Sequence, residues 1–196
     1  MLIEILFAFA LLGQTPGPSA FNTYAAHLEP SAMSTACRLQ DPSYFRNLTY
    51  QFRAKAYPGQ RLLQFKDGRY DDRGGLSGGD IEWSTELERQ DSILLDQDRA
   101  VLLTFFAKHI GGSGSLSYVL IIRCKAELLE VVFEDGGEGI RSSYSGTRDL
   151  RITHPFWSRD DSHSSPSRLV DERYRWDRGR GRFVLIRRSE SEIKIR

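Results

Sequence analysis

The chain has 196 residues, 40% of them hydrophobic and 27% charged, and a formal net charge of +1 from 27 basic and 26 acidic side chains. That composition belongs to a globular domain rather than to a disordered or membrane-embedded chain, and the length suits one domain able to bury its own core. The balanced charge argues against a nucleic-acid partner, whose phosphates favour a clear basic excess, and none is expected.

Met1 to Leu12 form a nearly continuous apolar run, followed by the small, breaker-rich stretch Gly13 to Ala20. This is the layout of a secretory signal peptide, and the run is shorter than the roughly 20 apolar residues that a spanning helix needs. Residues 1–20 are therefore read as a leader, which gives a periplasmic or extracellular protein with no membrane span once the leader is removed. The leader departs from the usual pattern in carrying Glu4 and no Lys or Arg at its start. The competing reading is a cytosolic domain with an apolar N-terminal strand. Residues 21–43 hold Pro30 and Pro42 among small residues and read as a linker or N-terminal extension, with a short helical turn around Thr23 to Leu28. The folded β-domain is placed at 44–196.

From Tyr44 onward the pattern is strands and turns. Leu48 to Tyr57 is aromatic and β-prone, and Lys66-Asp67-Gly68 between Arg61–Phe65 and Arg69–Tyr70 predicts a tight hairpin. Ile81 to Leu87 reads as a short strand, and the polar stretch Glu86 to Asp91 as a helical turn or loop. Ala100 to Ala107 and Leu116 to Cys124 are almost wholly apolar, as expected for central strands covered on both faces. Glu127 to Phe133 reads as a strand closed by Asp135-Gly136-Gly137, with weaker strands at Ile140–Tyr144 and Leu150–Thr153. Arg173–Trp176 and Phe183–Ile186 flank a last turn, and alternation puts Tyr174 and Trp176 on one face. The expected fold is all-β with few short helices, an antiparallel meander of about nine or ten strands arranged as a sandwich, an open barrel or blade-like sheets.

Several segments in the 44–187 region resemble a group of exported bacterial proteins built around a single repeat similar to the FG-GAP or VCBS blade repeat. Phe45–Tyr50, Phe65–Tyr70, Gly111–Gly114 with Tyr118-Val119, Gly139–Tyr144, and Tyr174–Asp177 with Gly181–Phe183 carry the likeness. The group lends no settled activity. Its members typically carry an Asp-x-Asp-Gly-Asp-Gly loop that resembles a calcium loop. Here the matching place is Leu95-Asp96-Gln97-Asp98-Arg99-Ala100, which keeps two acids, lacks both glycines and has a cation in place of the third acid. Two carboxylates cannot fill the six to eight oxygen sites of calcium. Asp96 or Asp98 is instead expected to close a turn and to pair with Arg99.

Few residues carry chemistry. The four histidines form no HxH or HExxH spacing, no G-x-S-x-G elbow occurs, and Gly74–Gly79 lacks the Lys-Ser/Thr of a P-loop, so no catalytic, cofactor-binding or metal residues are assigned and no cofactor is expected. Cys37 and Cys124, the only cysteines, either pair in an oxidising compartment or stand as two thiols. Arg173, Arg175, Arg178, Arg180, Arg182, Arg187 and Arg188 are read first as the solvated face of two strands and their turn, with Asp171, Glu172 and Asp177 interleaved, and second as an anion-binding stripe. Tyr44, Phe45, Tyr50, Phe52, Trp83, Trp157, Tyr174 and Trp176 are read as core or cross-strand pairs before a ligand groove. The expected role is that of a monomeric, non-enzymatic exported module that binds a protein or glycan, or belongs to the envelope. The alternative is an extracytoplasmic hydrolase whose site forms only in space near the 154–163 loop, from His154, Asp160, Asp161 and His163.

Overall fold

The computed structural model describes residues 37, 39, 41–52, 62–72, 82–110, 114–126, 128–146, 148–158, 160–162 and 165–193. The leader, the helical turn expected at Thr23 to Leu28 and the glycine run 74–79 lie outside these residues. The fold is all-β, and the described residues form three antiparallel sheets and one short helix. No helix among the described residues is long and apolar enough to cross a membrane.

The first elements are small. Helix α1 (Pro42–Arg46) starts with Asp41 as its N-cap, whose Oδ1 accepts from the Ser43 N–H at 2.9 Å, and with proline in its first turn. Strand β1 (Thr49–Gln51) pairs with β2 (Leu62–Gln64). Of the segment Phe45–Tyr50 that carries the family likeness, the first two residues are therefore helical and the strand begins only at Thr49, because Asp41-Pro42 supplies both a cap and a preset φ. The Asp67-Gly68 turn forms, with φ of +53° and +85° and a single Lys66–Arg69 bridge. It does not make the expected hairpin, since its flanking strands pair elsewhere: β2 with β1, and β3 (Arg69–Asp72) with β4 (Glu82–Leu95). The turn backbone is claimed from outside, Gly68 N–H donating to the Arg46 carbonyl and Gly68 O accepting from Leu87 N–H, both at 2.7 Å.

The five-stranded sheet runs β3-β4-β5-β6-β7, with β5 at Asp98–Ile110, β6 at Ser115–Lys125 and β7 at Leu128–Gly137. Glu86 to Asp91, expected as a turn or loop, is strand throughout. It pairs along β5, with a bulge between Leu87 and Arg89 that shifts the register by one residue. Its polarity reflects position, since β3 pairs with β4 only at residues 83–86 and leaves the rest at a solvated edge. Likewise Asp135-Gly136-Gly137 does not close β7 but continues it, opposite Val119, Tyr118 and Ser117.

The near-continuous apolar runs of β5 and β6 are covered on both faces, as their sequences imply. Val101, Leu103, Phe105, Ala107, Tyr118, Leu120 and Ile122 pack with α1, β1 and β2. In that layer Phe105 lies within 5.3 Å, centroid to centroid, of Tyr50, Phe52 and Phe65. Ala100, Leu102, Val119 and Ile121 point the other way, onto a second sheet. That sheet runs β11-β10-β9-β8, with β8 at Arg141–Ser145, β9 at Asp149–Phe156, β10 at Arg168–Asp177 and β11 at Arg182–Glu192. Its inner positions Leu150, Ile152, Tyr174, Trp176 and Phe183 complete the second core. Each large sheet is a meander of consecutive strands, and together they stack as a sandwich.

Two tethers hold the layers. Cys37 and Cys124 form a disulfide across 87 residues, which settles their state and ties the chain ahead of α1 to β6. On the other side of the sheet, Asp96 at the β4–β5 turn accepts a hydrogen bond from the Trp176 indole N–H at 3.1 Å and pairs with Arg148. Tyr144 of β8 donates its hydroxyl proton to the Leu94 carbonyl.

Candidate anion-binding face

The outer face of the four-stranded sheet follows from alternation. In β10 the inward residues are Val170, Glu172, Tyr174 and Trp176, all buried, so Asp171, Arg173, Arg175 and Asp177 point outward. The pairing registers then place three rows across the sheet: Arg141–Thr153–Asp171–Ser189, Ser143–Arg151–Arg173–Arg187, and Ser145–Asp149–Arg175–Val184. The middle row sets three arginines side by side on β9, β10 and β11.

Two aspartates hold part of this array. Arg175 grips Asp149 with Nε at 2.9 Å and Nη2 at 3.2 Å, and Arg151 binds Asp171 through Nε at 2.9 Å and through Nη2. The hydrogen bond from Arg175 is the main reason that Asp149 titrates below the ordinary carboxylate range, and the bond from Arg151 does the same for Asp171. Arg173 and Arg187 also lower Asp171 through their charge. Neither forms an ion pair with any described carboxylate, although they face each other directly across β10 and β11. Like charges directly opposite on neighbouring strands disfavour the pairing.

The seven C-terminal arginines thus divide. Arg173, Arg175, Arg182 and Arg187 lie on the outer face, while Arg178 and Arg180 lie in the β10–β11 turn. Arg188 turns inward, with Nη1 3.4 Å from Glu172 Oε1. Glu172 is 5% exposed and accepts the Tyr174 hydroxyl at 2.6 Å. Asp135 of β7 stands near this pair. Burial raises its pKa, the Gly136 N–H opposes that, and the charge of Glu172 adds to it. The sequence reading missed this inner cluster. The period-2 position of Glu172 between Val170 and Tyr174 was its one local signal.

The other candidate residues do not assemble a site. His154 sits half-buried on β9 with Nδ1 3.2 Å from the Pro155 carbonyl oxygen. Asp160 is exposed in the loop. His163 lies outside the described residues. Asp161 fixes the loop backbone, accepting from the Ser158 N–H at 2.7 Å and the Ser167 N–H at 2.8 Å. Desolvation pushes its pKa up, but those backbone bonds and the two serine hydroxyls outweigh it and bring it to about 2. A carboxylate so committed to its own loop is a poor general base.

The degenerate Asp loop is also committed. Asp96 is held by Trp176 and Arg148, not by the expected Arg99, because the β4–β5 turn (Asp96 φ +58°) aims it across the sandwich. Asp98 lies 3.7 Å from Arg123, which itself holds Glu130 at 2.7 Å and stacks 5.0 Å over the Trp176 ring. Two guanidinium groups occupy the surroundings that a calcium ion would need, so the residues do not fit that ion. Among the described residues no group of three or more His, Cys, Asp or Glu could hold a metal. Phe45, Tyr50, Phe52, Tyr174 and Trp176 are core residues, not a groove lining. The chain matches no protein-family model, no curated protein and no solved structure.

Proposed function

We propose that this chain is an exported, non-enzymatic β-domain that works by binding, through the outer face of its four-stranded sheet. The observation that carries the reading is the in-register opposition of Arg173 and Arg187 on an exposed face. Asp171 beside them offsets part of the repulsion but is itself gripped by Arg151, and an arrangement that disfavours strand pairing is explained if a ligand anion supplies the remaining counter-charge. The Cys37–Cys124 disulfide and the apolar leader support an oxidising, extracytoplasmic setting. The likeness of segments within residues 44–187 to exported FG-GAP/VCBS-type modules supports the same reading.

The test is the stability of Arg187→Ser. If the arginines serve a ligand, removing one relieves repulsion and leaves the apo protein as stable or more stable, by about 0.5 kcal/mol in urea unfolding. A loss of about 1 kcal/mol or more would make Arg187 a structural residue of the sheet and overturn the proposal.

A further inference from the structure

Resting on that reading, we infer that the outer face of the four-stranded sheet takes an acidic polysaccharide of the polyuronate class, a uronate carboxylate lodging between Arg173 and Arg187, the two arginines of the middle row that no aspartate grips. Charge is segregated to this face. Its outward positions hold six arginines (141, 151, 173, 175, 182 and 187) against three aspartates (149, 171 and 177), an excess of three positive charges in a chain whose total is +1. Every outward cation is arginine and none is lysine, which suits planar, two-pronged recognition of carboxylates.

Spacing sets how the carboxylate sits. Neighbouring strands lie about 4.8 Å apart, so Arg173 and Arg187 present two forks at about that interval, perpendicular to the strands. Two forks so placed can close on one carboxylate from both sides, while the neighbouring sugars of the chain lie over the flanking hydroxyls. Ser143 ends the row, and Ser145, Thr153 and Ser189 flank it. Their hydroxyls suit sugar hydroxyls, which both donate and accept.

Nucleic acid fits less well. No outward position of the described sheet carries an aromatic ring on which bases would stack. A duplex bears one charge per about 1.7 Å of axis, and the three outward aspartates would face that density.

The experiment measures binding of polygalacturonate to the full chain by calorimetry, beside fully methyl-esterified galacturonan, duplex DNA and phosphatidylglycerol vesicles. Polygalacturonate is expected to bind, with a log–log salt slope of about −2 to −3. The ester, which lacks the charge, is expected to bind at least about tenfold more weakly. Arg173→Ser/Arg187→Ser should lose at least about tenfold in affinity without a lower Tm, and the paired Lys substitutions should lose several-fold because the fork is gone. Equal binding of the ester, or full retention by the Lys variant, overturns carboxylate recognition. Tighter binding of DNA or vesicles through the same arginines overturns the polyuronate and leaves the binding face standing. Binding of none of the three polyanions overturns both.

Discussion

Removing the Cys37–Cys124 bridge tests how the N-terminal layer is held. The bond closes a loop with a sequence separation of 87, and loop-closure entropy at that length stabilises the fold by about 4.6 kcal/mol at 25 °C. Cys124 ends the apolar run of β6 and Cys37 packs against the same core as Leu39 and Phe45, so the cross-link fixes a layer whose own strands, β1 and β2, have only three residues each. The variant is Cys37→Ser/Cys124→Ser, compared with the wild type with and without reductant by thermal and urea unfolding. A chain of this size shifts by roughly 2–4 °C per kcal/mol, so a Tm lower by about 10–15 °C is expected. Reduction of the wild type should give the same loss. If both the reduced wild type and the double variant melt within about 2 °C of the oxidised protein, the bridge does not support the layer and the loop-closure argument fails.

Other outcomes follow from individual contacts. Asp96→Ala removes the acceptor for the Trp176 indole and the partner of Arg148. It should cost about 2 kcal/mol in urea unfolding, with clear coupling to Trp176→Phe in a double-mutant cycle. Asp135 has a folded pKa above its unfolded one, chiefly through burial. The fold therefore favours its protonated form, and the stability it contributes is present below the unfolded value and lost as pH rises through the folded one. Asp135→Asn should then raise the urea midpoint at about pH 7 and leave it unchanged near pH 3, and a lower midpoint at neutral pH would contradict the burial argument. Gly139, at φ +64°, would bring a Cβ to 3.1 Å from the Pro155 ring, so Gly139→Ala should lower stability by about 1–2 kcal/mol. Export predicts a periplasmic species lacking the leader when the full chain is made in a bacterial host, and intact mass from Met1 in the cytosol would contradict it.

The sequence carried the sheet interior well. The runs at 100–107 and 116–124 are apolar at successive positions because both faces are covered, and that pattern needs no knowledge of partners. The alternation of Tyr174 and Trp176 with arginines likewise resolved the two faces of β10. What was not legible depends on distant pairing. Residues 86–91 look like a turn because their polar side chains suit an edge, and only the ladder with β5 makes them strand. Asp96 was expected to find its nearest cation, Arg99, whereas its hydrogen-bond donor Trp176 lies 80 residues away. The arginine run was legible as a face, but not the register that puts Arg187 opposite Arg173 and turns Arg188 towards Glu172. One residue of slip at the bulge between β10 and β11 would exchange them.

The most direct measurement follows the arginine side-chain Nε–H signals by NMR while a short oligogalacturonate is added to the oxidised protein. Arg173 and Arg187 should shift together and saturate, while buried Arg123 stays fixed as an internal control. Saturating shifts at Arg188 with none at Arg173 and Arg187 would move binding to the inner cluster and contradict a binding face on the outer sheet.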